Sequence, residues 1–174
     1  MLRTGDILDL GPLETQLIIK KTAVETDGQS FEMEMVVGPQ NPGPPLHTHP
    51  HAAEVYEVLD GEIELNVDGA WQTYSAGEKA VIAKGIPHTY RNASLEPVRV
   101  YNKHQPAMQF SDYFETMRKV ANSEAVTAQP TSFKALLHFA VMMTSYPEEI
   151  RSVAPPYPVM RLFGWIGQLL GYRV

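Results

Sequence analysis

Four residues in two short stretches carry the ligand types of a metal site. His47-Thr48-His49 is followed by Glu54, and His88 stands at the head of the later run His88-Thr89-Tyr90-Arg91-Asn92. Two histidines at i and i+2 of a strand project to the same face, so both imidazoles can reach one ion. The interval from His49 to Glu54 is odd, so a turn or bulge must separate them if all three face inward. His88 can supply a fourth ligand. Three neutral imidazoles and a carboxylate suit Fe, Mn, Ni, Zn or Cu as a divalent ion and suit calcium or magnesium poorly. The chain has no cysteine, so the set is wholly nitrogen and oxygen. Such an ion keeps exchangeable positions for water, dioxygen or a substrate oxygen. Ligation needs neutral imidazoles, so affinity is expected to fall below about pH 6–6.5.

These residues must be positioned by strands. Phe31-Glu32-Met33-Glu34-Met35 alternates apolar and acidic residues, and Ile63, Leu65 and Val67 alternate with Glu62, Glu64 and Asn66; this is the period of a half-buried strand. Asp27-Gly28, Asp60-Gly61 and Asp68-Gly69 punctuate the region and suit tight hairpins. Short strands with regular turns predict an all-β sandwich or barrel. The proline-rich segment Gly38–Pro50 reads as a loop or strand entry. By parity, Tyr90 and Asn92 follow His88 to the inside, and Tyr56 and Val58 follow Glu54. With Phe31, Met33 and Met35 they are candidates for an apolar, partly aromatic substrate pocket, or for barrel core.

The two histidine segments resemble the paired signatures of the cupin superfamily. The first family pattern is G-x5-H-x-H-x3,4-E-x6-G, which His47, His49, Glu54 and Gly61 match; its opening glycine falls on Asn41, with Gly43 two residues later. The second is G-x5-P-x-G-x2-H-x3-N, which Gly77, Gly85, His88 and Asn92 match, with Ala83 in place of the proline. The short stretch between them, Glu62–Ala76, is similar to that of compact single-domain bacterial cupins. The resemblance implies a mainly β, jelly-roll barrel, usually a homodimer, with one metal held by His47, His49, Glu54 and His88. It implies oxygenase or isomerase/cyclase chemistry on a small organic molecule, with Glu54 as ligand or base. The alternative is a non-catalytic binding module. His51 is expected at the rim, and His104 and His138 in structural roles, since neither has a partner pattern.

The period changes after residue 110, which divides the chain into a barrel (1–108) and a helical extension (109–174) packing on the barrel or a dimer partner. Ser111 and Ser132 read as helix caps, Pro147-Glu148-Glu149 as a helix start, and Pro158 as the opening of a last helix through Leu170. In that helix Leu162, Phe163, Ile166, Leu169 and Leu170 form an apolar stripe, broadened by Trp165, which is expected to pack against the barrel or a second subunit. A membrane-surface helix is disfavoured because no Lys-rich polar face accompanies the stripe.

Composition sets the limits. The 174 residues carry 14 Lys+Arg against 20 Asp+Glu, a net charge of −6. No basic run is present to track phosphates, so nucleic acid is not an expected partner. No apolar run approaches the ~20 residues of a membrane span. Met1–Asp6 lacks the apolar core of a secretory leader, so a cytoplasmic location is expected.

Overall fold

The computed structural model describes residues 1–174. The strands are β1 (Ile7–Asp9), β2 (Thr15–Lys21), β3 (Phe31–Val37), β4 (His47–Thr48), β5 (Ala53–Asp60), β6 (Glu62–Val67), β7 (Ala70–Ser75), β8 (Lys79–Ile82), β9 (His88–Arg91) and β10 (Val98–Gln105). Helices α1 (Phe110–Ala121), α2 (Glu124–Thr127) and α3 (Phe133–Ser145) follow, then strand β11 (Arg151–Ser152) and helix α4 (Tyr157–Leu169). One antiparallel sheet has the order β1-β2-β3-β10-β5-β8; the other has β11-β4-β9-β6-β7. The fold is therefore mainly β, a jelly roll of two facing sheets with a helical C-terminal extension.

Alternation places the core. Phe31, Met33, Val37, Ile63, Leu65, Val98 and Val100 lie between the sheets, each at most 1% exposed. Of the three Asp-Gly pairs only Asp68-Gly69 closes a tight hairpin, joining β6 to β7 with both residues at positive φ. Asp60-Gly61 instead joins β5 to β6, which lie in different sheets, and so turns a corner of the sandwich.

The outer face of the first sheet is charged. Glu34 takes a hydrogen bond from Arg99 at 2.8 Å and an ion pair from Lys20 at 3.1 Å. The Arg99 hydrogen bond holds the Glu34 carboxyl below its ordinary value; burial opposes this, and Lys20 adds to it. A lowered folded pKa gives stability that is complete above the unfolded carboxylate value, about 4.3, and is lost as pH falls through the folded one. Arg99→Met is therefore expected to lower the urea midpoint at pH 7, and the gap to the parent should narrow below about pH 4. A gap independent of pH would mean that the packing of Arg99, not its charge, matters.

The extension departs from expectation in three places. Helix α1 starts at Phe110, with Gln109 rather than Ser111 at its N-cap and no local side-chain cap. A distant side chain serves instead, since the Gln109 amide donates to Glu149 Oε1 at 3.3 Å. Ser132 does cap α3, accepting from the Ala135 amide at 3.1 Å. Pro147-Glu148-Glu149 does not open a helix. The chain makes a turn on the Tyr146 carbonyl and then extends as β11 along β4; strand pairing and burial of Ile150 override the local helix signal.

The third difference is the packing face of α4. Leu162, Trp165, Leu169 and Leu170 are exposed, and Met160, Gly164 and Gly167 are buried. A Cβ on Gly164 would lie 2.5 Å from Thr144 Oγ1, and one on Gly167 would lie 2.7 Å from Val141 Cγ2. Backbone-to-backbone approach of α4 to α3 thus decides the orientation: Phe163 and Ile166 are half-buried, and the rest of the stripe is turned away from this chain's own core. No helix is long and apolar enough to cross a membrane.

Candidate metal centre

The residues that approach one another across the sandwich come from both sheets. His47 on β4 is the direct cross-strand partner of His88 on β9. His49 follows β4 with its ring on the same side, as the i, i+2 spacing requires. After a short loop the chain enters the opposite sheet, where Glu54 on β5 faces them. His47, His49, Glu54 and His88 are all buried, and one ligand atom from each lies within 4.8 Å of every other.

The loop before β4 sets this register. Asn41, at the family's opening glycine position, is buried and donates to the Leu13 carbonyl at 2.7 Å while accepting from the Gly43 amide at 2.9 Å. Gly43 has φ +72, and a Cβ there would lie 1.7 Å from the Tyr90 carbonyl oxygen. Thr89 Oγ1 donates to the Pro44 carbonyl, and the Asn92 amide to that of Asn41. The loop is thus fastened along β9, and His47 is placed opposite His88.

Hydrogen bonds fix the tautomers. Nδ1 of His47, His49 and His88 approaches the carbonyl oxygens of Pro45, Glu149 and Ile86 at 2.8, 2.6 and 2.8 Å. A carbonyl can only accept, so each Nδ1 carries the proton and each neutral ring presents an Nε2 lone pair. Those lone pairs converge on another acceptor: Glu54 Oε2 lies 2.7 Å from His88 Nε2 and 3.3 Å from His49 Nε2. Neither Glu54 Oε2 nor His88 Nε2 has a hydrogen-bond partner. A single proton can relieve one such contact, whereas a divalent cation relieves all of them. The residues present therefore fit an ion.

Burial and the neighbouring rings His88 and His49 hold His47 neutral well below the ordinary histidine range, so its ligand form persists to lower pH than an exposed histidine would allow. Burial opposes charge on His88, but the adjacent Glu54 carboxylate outweighs this and raises the ring. Burial would push the Glu54 carboxyl up; the His104 and His49 rings oppose it and leave it well below the usual carboxylate range. Burial, reinforced by the Glu54 charge, raises the Tyr56 and Tyr90 phenols, which stay protonated.

Two residues at this carboxylate were not anticipated. Asn102 Nδ2 donates to Glu54 Oε1 at 2.8 Å, and His104 Nε2 lies 3.3 Å from the same oxygen. His104 is the direct partner of Glu54 across β10 and β5, so it has a neighbour at the site that the sequence reading did not give it. It is 1% exposed, neither ring nitrogen has a hydrogen-bond partner, and burial lowers its pKa to about 4 against the pull of Glu54. The signal was present in β10, where Val98, Val100, Asn102 and His104 occupy alternate, inward positions.

The remaining candidates divide. Tyr56 and Tyr90 face each other from the two sheets with ring centroids 6.0 Å apart. Phe31 stacks on Phe114, while Met33, Met35 and Val58 belong to the main core. Asn92 is not free to line a pocket. Its amide donates to the carbonyls of Val37, Gly38 and Glu96, and its oxygen accepts from Ser94, because β9 ends there and the loop must be tied. His51 is exposed, 2.6 Å from Glu148, as a rim residue should be. His138 contacts Ser123 Oγ and the Arg173 carbonyl within the extension.

Comparison with known proteins follows the same residues. A family model described as a cupin domain matches residues 33–102. Quercetin 2,3-dioxygenase of Bacillus subtilis (strain 168) is 39% identical over 67 residues, 38% of this chain and 20% of that protein. The HTH-type transcriptional regulator SutR of Escherichia coli (strain K12) is 39% identical over 56 residues, 30% of this chain and 32% of that protein. The chain thus spans at most about a third of these curated relatives. An RmlC-like cupin from Shewanella frigidimarina NCIMB 400 superposes with a TM-score of 0.53 at 18% identity, over 62% of this chain and 88% of that one.

Proposed function

This chain is a member of the cupin superfamily, and from that premise we propose that it is a metal-dependent enzyme acting on a small organic molecule. Its ligands would be His47, His49, Glu54 and His88, around one Fe, Mn, Ni, Zn or Cu ion. The observation that carries the reading is the buried meeting of imidazole lone pairs with the unpartnered Glu54 Oε2. Such an ion, when bound, supplies Lewis-acid polarisation of a coordinated oxygen and, if redox-active, dioxygen chemistry.

The chain's own groups divide the remaining work. Asn102 holds Glu54 Oε1, which leaves Oε2 as the oxygen that ligates or takes a substrate proton. Protonated Tyr56 and Tyr90 offer hydrogen bonds to a substrate oxygen. The apolar core around them keeps water out, which strengthens each polar contact. Oxygenase and isomerase/cyclase chemistry both fit this set. The local similarity to a dioxygenase over 67 residues supports the first.

A second reading, a sensor that binds the same kind of molecule without turning it over, is favoured by the similarity to a transcriptional regulator over 56 residues. Tag-free protein repleted with each of the five metals in turn is expected to retain one equivalent of at least one of them. Aerobic assays on a panel of enols and aromatic diols, followed by oxygen uptake and product analysis, then separate the readings. Turnover that disappears in Glu54→Ala supports the enzyme. One-to-one metal with ligand binding and no turnover supports the sensor, and protein that stays metal-free after repletion removes both.

A further inference from the structure

We infer that the segment 147–154 of the C-terminal extension is part of the metal centre: the Glu149 carbonyl positions His49, and ion binding is coupled to docking of this segment on β4. The inference rests on the metal reading above and adds a component that neither histidine motif contains.

The three imidazoles are not held alike. His47 and His88 each donate Nδ1–H to a carbonyl two residues back in their own segment, Pro45 and Ile86. These local bonds form wherever the segment forms. His49 alone donates to a group 100 residues away, the Glu149 carbonyl, and this is the shortest of the three bonds at 2.6 Å. The partner of a ligand's second nitrogen fixes the ring and aims the first, and loss of such a partner typically costs about 10–100-fold in metal affinity. Without segment 147–154, the His49 ring would have no partner for its Nδ1–H, and its Nε2 would lose its aim.

The segment engages the motif at several other points. Arg151 and Ser152 pair with Thr48 and His47 as β11 on β4. The Val153 amide donates to the Leu46 carbonyl at 2.9 Å, and Glu148 contacts His51. The Glu149 side chain, 3% exposed, also accepts from the Gln109 amide where α1 begins, one residue before Phe110. The Phe110 ring lies 5.3 Å from that of His49. Extension residues thus grip His49 from two directions.

Two-residue pairing is short, and such elements open locally at low cost compared with the core. If His49 is aimed only while the segment is docked, an ion that ligates His49 favours the docked form. By linkage the docked form favours the ion by the same factor.

The test is hydrogen exchange with mass spectrometry on the full chain, with and without zinc, in samples whose zinc stoichiometry is measured by calorimetry. Zinc is expected to slow exchange of the Ile150, Val153 and Ala154 amides by about tenfold, within the usual range of site coupling. The amides of the β6–β7 hairpin should slow much less. Zinc that binds one to one while segment 147–154 exchanges unchanged, or slows no more than the hairpin, overturns the inference and leaves the metal reading intact. A chain that binds no zinc and none of the other four ions removes the metal reading and the inference together.

Discussion

Alanine at both His47 and His88 is expected to abolish the metal dependence of stability while leaving the sandwich folded. In the parent, an ion that binds only the folded chain stabilises it by about 4 kcal/mol at a thousandfold excess over Kd. For a chain of this size that is about 10 °C in Tm. The double variant keeps His49 and Glu54 only, too few to hold the ion, so its Tm should be the same with and without metal. Its metal-free form should melt close to the metal-free parent. The substitutions open a small cavity, but they also remove imidazole lone pairs that converge on Glu54 Oε2. Differential scanning fluorimetry of both proteins across a metal series checks this. A parent whose Tm ignores every metal, or a double variant that still gains about 10 °C, would contradict the assignment of these ligands.

Gly43→Ala is expected to cost more than any other single-methyl addition near the site. Two effects add. Gly43 has φ +72, where an L side chain is strained by about 1 kcal/mol. Its new Cβ would also lie 1.7 Å from the Tyr90 carbonyl oxygen, which is backbone and cannot rotate away. The loop must therefore lift off β9, breaking the Thr89–Pro44 and Asn92–Asn41 hydrogen bonds and shifting His47 against His88. We expect a loss of at least about 3 kcal/mol, in the upper part of the range for point substitutions, and weakened metal binding. Gly69→Ala is the control. It has φ +86 but nothing within 4 Å of a new Cβ, so it reports the conformational strain alone. Urea unfolding of the two variants separates the effects, and equal losses would mean that the close approach on Tyr90 carries no weight.

The four ligand candidates were readable because each signal is local. A strand period of 2 aims His47 and His49 together, an odd interval predicts the crossing to Glu54, and Gly77 and Gly85 lead into His88 with Asn92 behind it. The alternation of β10 turns Asn102 and His104 inward, but the register of β10 against β5 that sets them beside Glu54 is encoded in no short window of residues. The Glu149 carbonyl left no trace at all, since every residue has a carbonyl. Helix α4 shows a different limit. Side-chain hydrophobicity marked Leu162 and Leu169 for packing on the barrel or a second subunit, whereas within the chain it is Gly164 and Gly167 that pack on α3, because they lack side chains. Ser132 capped as expected, and Ser111 did not because Glu149 serves that end of α1 from a distance.

The separation of His49 from Glu149 also orders events during biosynthesis. The segment from His47 to His88 holds all four candidate ligands, and it is made well before Glu149. At elongation rates of about 5–20 residues per second, roughly 5–20 s pass between synthesis of His49 and of the carbonyl that fixes its ring. For that interval a nascent chain offers metals two imidazoles with local anchors and one without. On the metal reading proposed above, β11 would be the strand that completes the shell, so an unfinished site would meet the metal pool before the finished one.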